Sequence, residues 1–427
     1  MSQRFIGLVF GLACVMPSLR LHAQEDPEVA GYDYILGTQT IGPAYHFTSD
    51  DPITESAQAI AAMGSTMLKS KGVESRDDLL ALPIRTYFSW FDDGDFYDGV
   101  SAAQKTVIRD SAYATAKSLL QRFNGSGRTF FLGHWEGDWL LLGGTANPKE
   151  PSAKTIQGMI DWYNARQQGI DDAKRDVPHA NVEVYQYAEV NRVRDALVDG
   201  NQRIVNAVLP HTQVDYVSYS SYDVMRLGQA AVDSTLDYVA SKLPPKAGIM
   251  GKRVFVGEFG IPADEMAFDG IKHEKANRDI LIKFMKWGCP YILYWEMYNN
   301  EIKNGAQRGF WLINDKNEKQ PLYHTLQHFL AEGKAYVVDR KAKTGAVPAA
   351  PDFQTWAIAW LENYQPSTGL LNRGDDRQDG GATRSHIGRS RSEAPGHDPV
   401  LCYFEFSHSG TAPALRFRAD GERMTHP

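Results

Sequence analysis

The sequence predicts an α/β chain wound into a closed (β/α)8 barrel, and three observations predict it. Short apolar runs alternate with longer helical patterns eight times from residue 34 onward. Several of these runs are near-continuous in apolar or β-branched residues, as strands covered on both faces should be. No glycine-rich phosphate loop follows the first run, which argues against an open, doubly wound sheet.

The strand segments are 34–38, 66–69, 84–90, 129–135, 182–187, 214–219, 254–257 and 291–295. Helical patterns lie between them at 54–63, 102–123, 152–174, 191–208, 230–243 and 267–287. Proline and glycine close these helices where a βα unit would turn: Pro210, the Pro244-Pro245 pair and Gly288. Alternation of this kind gives a parallel sheet. Eight units fit a barrel of about 250 residues with insertions, so the catalytic-type barrel is expected over 30–346. Phe353, Trp356, Trp360 and Tyr364 recur on one helical face, which makes 347–365 a packing segment. Beyond Pro366 the chain is rich in Arg, Gly and Ser and lacks Lys and periodicity, and a disordered tail is expected over 366–427.

Composition sets the outer limits. The 427 residues are 43% hydrophobic, enough for one large core. A net charge of −7 offers no basic excess to neutralise phosphates, so no nucleic-acid partner is expected. Arg4, the apolar run 5–16 and Leu21-His22-Ala23 predict a signal peptide over 1–23 and a secreted product. The apolar run is far short of the roughly 20 residues a membrane span needs. Lipoprotein processing at Cys14 ranks second, because Gly11 stands where Leu is usual. Cys14, Cys289 and Cys402 form no disulfide framework and no metal knuckle. His324 and His328 share a helical face but lack a third ligand, so neither metal nor organic cofactor is expected.

Barrel enzymes carry their chemistry at the C-terminal ends of strands, so the acids found there are the first candidates. The fourth strand ends His134-Trp135-Glu136-Gly137-Asp138, and the seventh reads Val256-Gly257-Glu258-Phe259-Gly260. Strands four and seven face each other across a barrel mouth. Two carboxyl groups placed so can flank a glycosidic bond, one giving a proton and one attacking.

With the aromatic eighth strand Tyr291-Ile292-Leu293-Tyr294-Trp295, these motifs resemble the clan of retaining (β/α)8 glycoside hydrolases. That clan includes cellulases, mannanases, β-galactosidases and β-xylosidases. The resemblance extends over about residues 30–335 in organisation and implies an oligo- or polysaccharide substrate. It makes Glu258 the nucleophile and Glu136 the acid/base. It also implies that a sixth-strand tyrosine, Tyr219 before Tyr222, bonds the nucleophile, and that Trp295 floors the first sugar subsite. One departure is plain: clan members carry Asn directly before the acid/base to bind the sugar 2-hydroxyl, and here Trp135 stands there. His134 and Asn191 are the candidate replacements, Asp138 is a rival acid, and Arg85 is a candidate counter-charge for the nucleophile. The departure at Trp135 supports an alternative, a carbohydrate-binding barrel without turnover. Phe91 to Asp98, acidic and aromatic after the third strand, is expected to shape a subsite.

Overall fold

The computed structural model describes residues 26–90, 96, 98–143 and 150–366. The predicted signal segment, the tail beyond Pro366 and most of the loop after the third strand lie outside the described residues.

Eight parallel strands close into a barrel in simple sequence order, with the last pairing to the first. They are β1 Leu36–Gln39, β2 Met67–Lys71, β3 Thr86–Trp90, β4 Arg128–Gly133, β5 Val182–Val190, β6 Tyr216–Ser220, β7 Val254–Phe259 and β8 Ile292–Tyr294. The apolar runs read from the sequence fall on all eight. The barrel interior is filled rather than hollow. Met67, Phe88, Phe131, Tyr187, Phe255 and Leu293 form a separate buried cluster, within which Phe88 and Phe131 stack at 4.7 Å between ring centroids. Phe88 and Phe131 face each other across the neighbouring strands β3 and β4, and inward side chains of this kind fill the interior of an eight-stranded barrel. The larger core lies between the strands and the surrounding helices.

The helices begin and end where local chemistry dictates. The helix Pro52–Ala62 starts on Asp51, whose carboxylate accepts from the N–H groups of Ile53 and Thr54. The helix Ala102–Arg122 carries a full capping box of Ser101 and Gln104. The helix Gly270–Trp287 is capped by Asp269 and stopped by Gly288 in the left-handed region, at φ 98°. The sequence places that start three residues too early, at 267. The segment expected as one helix over 191–208 is instead a short helix Val193–Val198 and a π turn Ile204–Val208. Gly200, at φ 75°, interrupts the run, and the side chain of Asp138 accepts the N–H of Ile204 where the second piece begins. Helix Ala350–Asn363, within the predicted packing segment, lays Phe353, Ala357 and Leu361 into the shared core. No helix among the described residues is long and apolar enough to cross a membrane.

Candidate active site

Side chains alternate between the two faces of a strand, and this parity decides what reaches the barrel mouth. On β4, Phe131 faces the interior, so Gly133 and Trp135 do too, and His134 faces the helices. His134 Nε2 meets the hydroxyl of Tyr163 on helix Ala153–Asp176 and accepts the N–H of Glu189 at 3.2 Å. Burial pushes the imidazole down to about 4, so it is a neutral scaffold residue. The expectation that His134 touches substrate is therefore corrected by strand parity.

Glu136 would be carried past the end of the strand, and its backbone turns it inward instead. It sits in the left-handed region, at φ 38° and ψ 59°, a conformation sparsely populated by residues with a Cβ. Its N–H donates to Glu189 Oε1 at 2.9 Å, and its carbonyl accepts from the N–H of Trp139. Gly137 lets the chain pass: a Cβ there would meet His134 at 2.2 Å and the Glu189 carbonyl at 2.8 Å.

Glu258 reaches the mouth through a bulge. Ser218 pairs with Phe255 and Ser220 with Glu258, so β7 carries one more residue than β6 over that stretch. The same mismatch recurs against β8. The extra residue reverses the parity after the inward Phe255 and turns Glu258 toward the axis. Gly257 is required beside it, because a Cβ there would lie 1.7 Å from Ser218 Oγ and 3.0 Å from Glu189 Oε2. Gly257→Ala should therefore lower the melting temperature by several degrees, since forced overpacking costs about 1–3 kcal/mol. A calorimetric scan that superimposes on the wild type would contradict this close packing.

The two carboxyl groups share one hydroxyl. Ser220 Oγ lies 2.8 Å from Glu136 Oε1 and 2.8 Å from Glu258 Oε2, so those two oxygens are separated by no more than twice that distance. A hydroxyl has a single proton to give. The arrangement is satisfied when protonated Glu136 donates to Ser220 Oγ and Ser220 donates to ionised Glu258. The electrostatics agree. Burial, then the Glu258 charge, push Glu136 well above the ordinary carboxylate range. Burial also raises Glu258, but Lys69, Ser220 and the Trp135 indole oppose the rise. Trp135 Nε1 donates to Glu258 Oε1 at 3.2 Å, and its ring stacks on Trp90.

Tyr219, expected to bond Glu258, does not reach it. Ser218 and Ser220 face inward, so Tyr219 faces out, and its hydroxyl donates to Asp223. Ser220 fills the place expected for a tyrosine. Tyr222, the second choice, is near enough for both Glu258 and Glu136 to push its phenol up, after burial. Asp138 is committed elsewhere: its Oδ1 accepts from Ile204 N, and its Oδ2 from the N–H groups of Asn191 and Arg192. Both oxygens are taken by backbone donors, which ties β4 to the end of β5 and removes Asp138 as a rival acid. Asn191 Oδ1 accepts the N–H of Asp138 in return, so the amide braces the loop. Arg85 lies at the opposite end of the barrel, bonded to the Gly127 carbonyl.

Trp295 stands at the end of β8, 5% exposed, with a cis peptide bond to Glu296, and its indole N–H finds no partner among the described residues. Glu296 Oε2 accepts the N–H of Ile41, and burial pushes this carboxyl well above its ordinary range.

Two residues at strand ends escaped sequence reasoning. Glu189 lies on β5, two residues beyond the predicted end of that strand, and is fully buried. Lys69 on β2 donates to Glu189 Oε2 at 2.8 Å and to the Gly257 carbonyl at 3.2 Å. The strand-end filter that selected Glu136 and Glu258 applies equally to Glu189. A charged residue in the middle of Tyr187-Ala188-Glu189-Val190 reads as the end of a strand unless its partner is known.

No family model and no curated protein sequence matches this chain. It is similar to a family 39 glycoside hydrolase of Bacteroides cellulosilyticus WH2, at 12% identity and a TM-score of 0.48, covering 72% of this chain and 65% of that one. It is also similar to the exo-β-1,4-mannosidase Op5Man5 of an Opitutaceae bacterium, strain TAV5, at 13% identity and 0.45, covering 70% and 59%. A third is the family 2 β-galacturonidase of Eisenbergiella tayi, at 10% identity and 0.44, covering 69% and 50%. The chain thus spans between half and two thirds of the lengths of these structures.

Proposed function

We propose that this chain is a retaining glycoside hydrolase that cleaves O-glycosidic bonds of an oligo- or polysaccharide by double displacement. One observation carries the reading: Glu136 and Glu258, from opposed strands, are bridged by a single serine hydroxyl. Retaining enzymes need their carboxyl groups about 5–5.5 Å apart, and inverting enzymes about 6.5–9.5 Å, to admit a water. A one-hydroxyl bridge belongs to the shorter class.

The chemistry follows from the two protonation states. Glu136 gives its proton to the glycosidic oxygen as that C–O bond breaks. A Glu258 oxygen attacks the anomeric carbon with its electron pair and forms a glycosyl ester. Glu136, now ionised, takes a proton from a water whose oxygen attacks the same carbon, and the ester bond breaks to return Glu258 as carboxylate. Ser220 and the Trp135 indole stabilise Glu258 in its charged form. Trp295 supports one face of the sugar beside them. Neither metal nor organic cofactor has a part in this sequence of steps.

One observation favours a second reading, a sugar-binding barrel without turnover: Glu258 is only 1% exposed and Glu136 8%. A screen of the full chain on aryl glycosides and on soluble polysaccharides separates the two. Turnover abolished by Glu258→Gln supports hydrolysis, whereas saturable sugar binding without turnover supports the second reading.

A further inference from the structure

We propose that Glu189, clasped by Lys69, is the positioning residue that holds Glu136 in its left-handed turn and sets the pH window of the carboxyl pair. The inference rests on the hydrolase reading and concerns a residue outside the pair itself.

The geometry is specific. Glu189 Oε1 accepts the backbone N–H of Glu136, the residue whose conformation most needs support. Its Oε2 accepts from Lys69 Nζ and, at 2.6 Å, from Ser218 Oγ. Three donors, from three different strand ends, fix the position of this one carboxylate. Lys69 and Glu189 are 1% and 0% exposed, so their charges act through protein rather than water. Burying an ion pair is seldom the cheapest way to stabilise a fold, and apolar residues fill the barrel below. The pair lies instead where it touches both reacting residues: the Glu136 N–H through Glu189, and the Gly257 carbonyl, next to Glu258, through Lys69.

Among the described residues, the other titratable groups around this cluster are largely held toward their neutral forms, Asp138 after β4 included, whose carboxyl is pushed up by burial. His134 and Tyr163, on the helix side of Glu189, are neutral, the first pushed down and the second pushed up by burial. Tyr187 on β5 and Tyr222 after β6 are likewise held neutral by burial. Glu296 after β8 is pushed toward its neutral form. The Arg166 guanidinium stacks on Trp162 at 4.7 Å, behind His134 and Tyr163. Among the described residues, Glu189 and Lys69 are the oppositely charged partners that act on both members of the pair. Glu189 raises both Glu136 and Glu258, and Lys69 lowers both.

The test is the pH profile of kcat/KM, whose acid limb reports ionisation of Glu258 and whose basic limb reports loss of the Glu136 proton. Glu189→Gln removes the negative charge and leaves Lys69 to act on the pair alone, so both limbs should move to lower pH by about one unit or more. Adding Lys69→Met removes the unbalanced cation, and both limbs should move back toward the wild type. A purely structural role would lower kcat in both variants without this reversal. Limbs unmoved in Glu189→Gln, or carried still lower in the double variant, would overturn the proposal. Should the single variant fail to fold, the charge-balanced double variant alone decides: its limbs should lie near those of the wild type, and a displacement beyond about one unit refutes the idea. Titration of 13C-labelled glutamate carboxyls by NMR, assigned with Glu136→Gln and Glu258→Gln, reads the same displacements without turnover. An inactive wild type would therefore defeat the hydrolase reading while this inference was still decided.

Discussion

Glu258→Ala should lose on the order of 10^4-fold or more in kcat on any glycoside, because the covalent intermediate cannot form. The small side chain leaves a space beside Ser220 and Trp135, both of which held the carboxylate. Azide fits such a space and attacks the anomeric carbon directly. Added azide should restore turnover of an activated aryl glycoside and give a glycosyl azide of inverted configuration. Glu136 is untouched in this variant and still protonates the leaving group. Retained product, or activity that azide does not change, would show that Glu258 is not the nucleophile.

Glu136→Ala should divide substrates by their leaving groups. On a natural glycoside, whose alkoxide needs a proton, kcat/KM should fall by about 10^2–10^4-fold, the usual worth of general acid catalysis. On a dinitrophenyl glycoside, whose leaving group needs little help, the first step should stay within about tenfold of the wild type. Glycosyl-enzyme then accumulates, because no base activates water. Azide should speed its release with retained configuration, since Glu258 has already attacked once. Steady-state rates on both substrates, with product stereochemistry, check the assignment. Full activity on the natural glycoside would contradict it.

The barrel was legible because its strands are buried on both faces and its helices carry their caps in sequence. The meeting of Glu136 and Glu258 at one end of the barrel was legible for a related reason: strand ends of a barrel converge, so an acid after an apolar run has a predictable neighbourhood. What surrounds them was not legible, and the causes are local. Tyr219 and His134 were assigned by type and position, but strand parity turns both toward the helices. Parity near the mouth is itself altered by the bulge in β7, which depends on a register between strands that no single sequence displays. Ser220, short and ordinary, meets both carboxyl groups only because of that bulge. Glu189 and Lys69 are 120 residues apart in sequence, and each alone reads as the end of a buried run. Trp135, the departure from the expected asparagine, takes a distinct part: its indole N–H bonds Glu258.

The most direct test of the central claim is the configuration of the first product formed by the unaltered chain, followed by proton NMR before mutarotation scrambles the anomers. With Ser220 bridging Glu136 and Glu258, the account predicts that the sugar is released with the anomeric configuration of the substrate. Release of the opposite anomer would mean that water attacks directly, and the double-displacement account would be wrong.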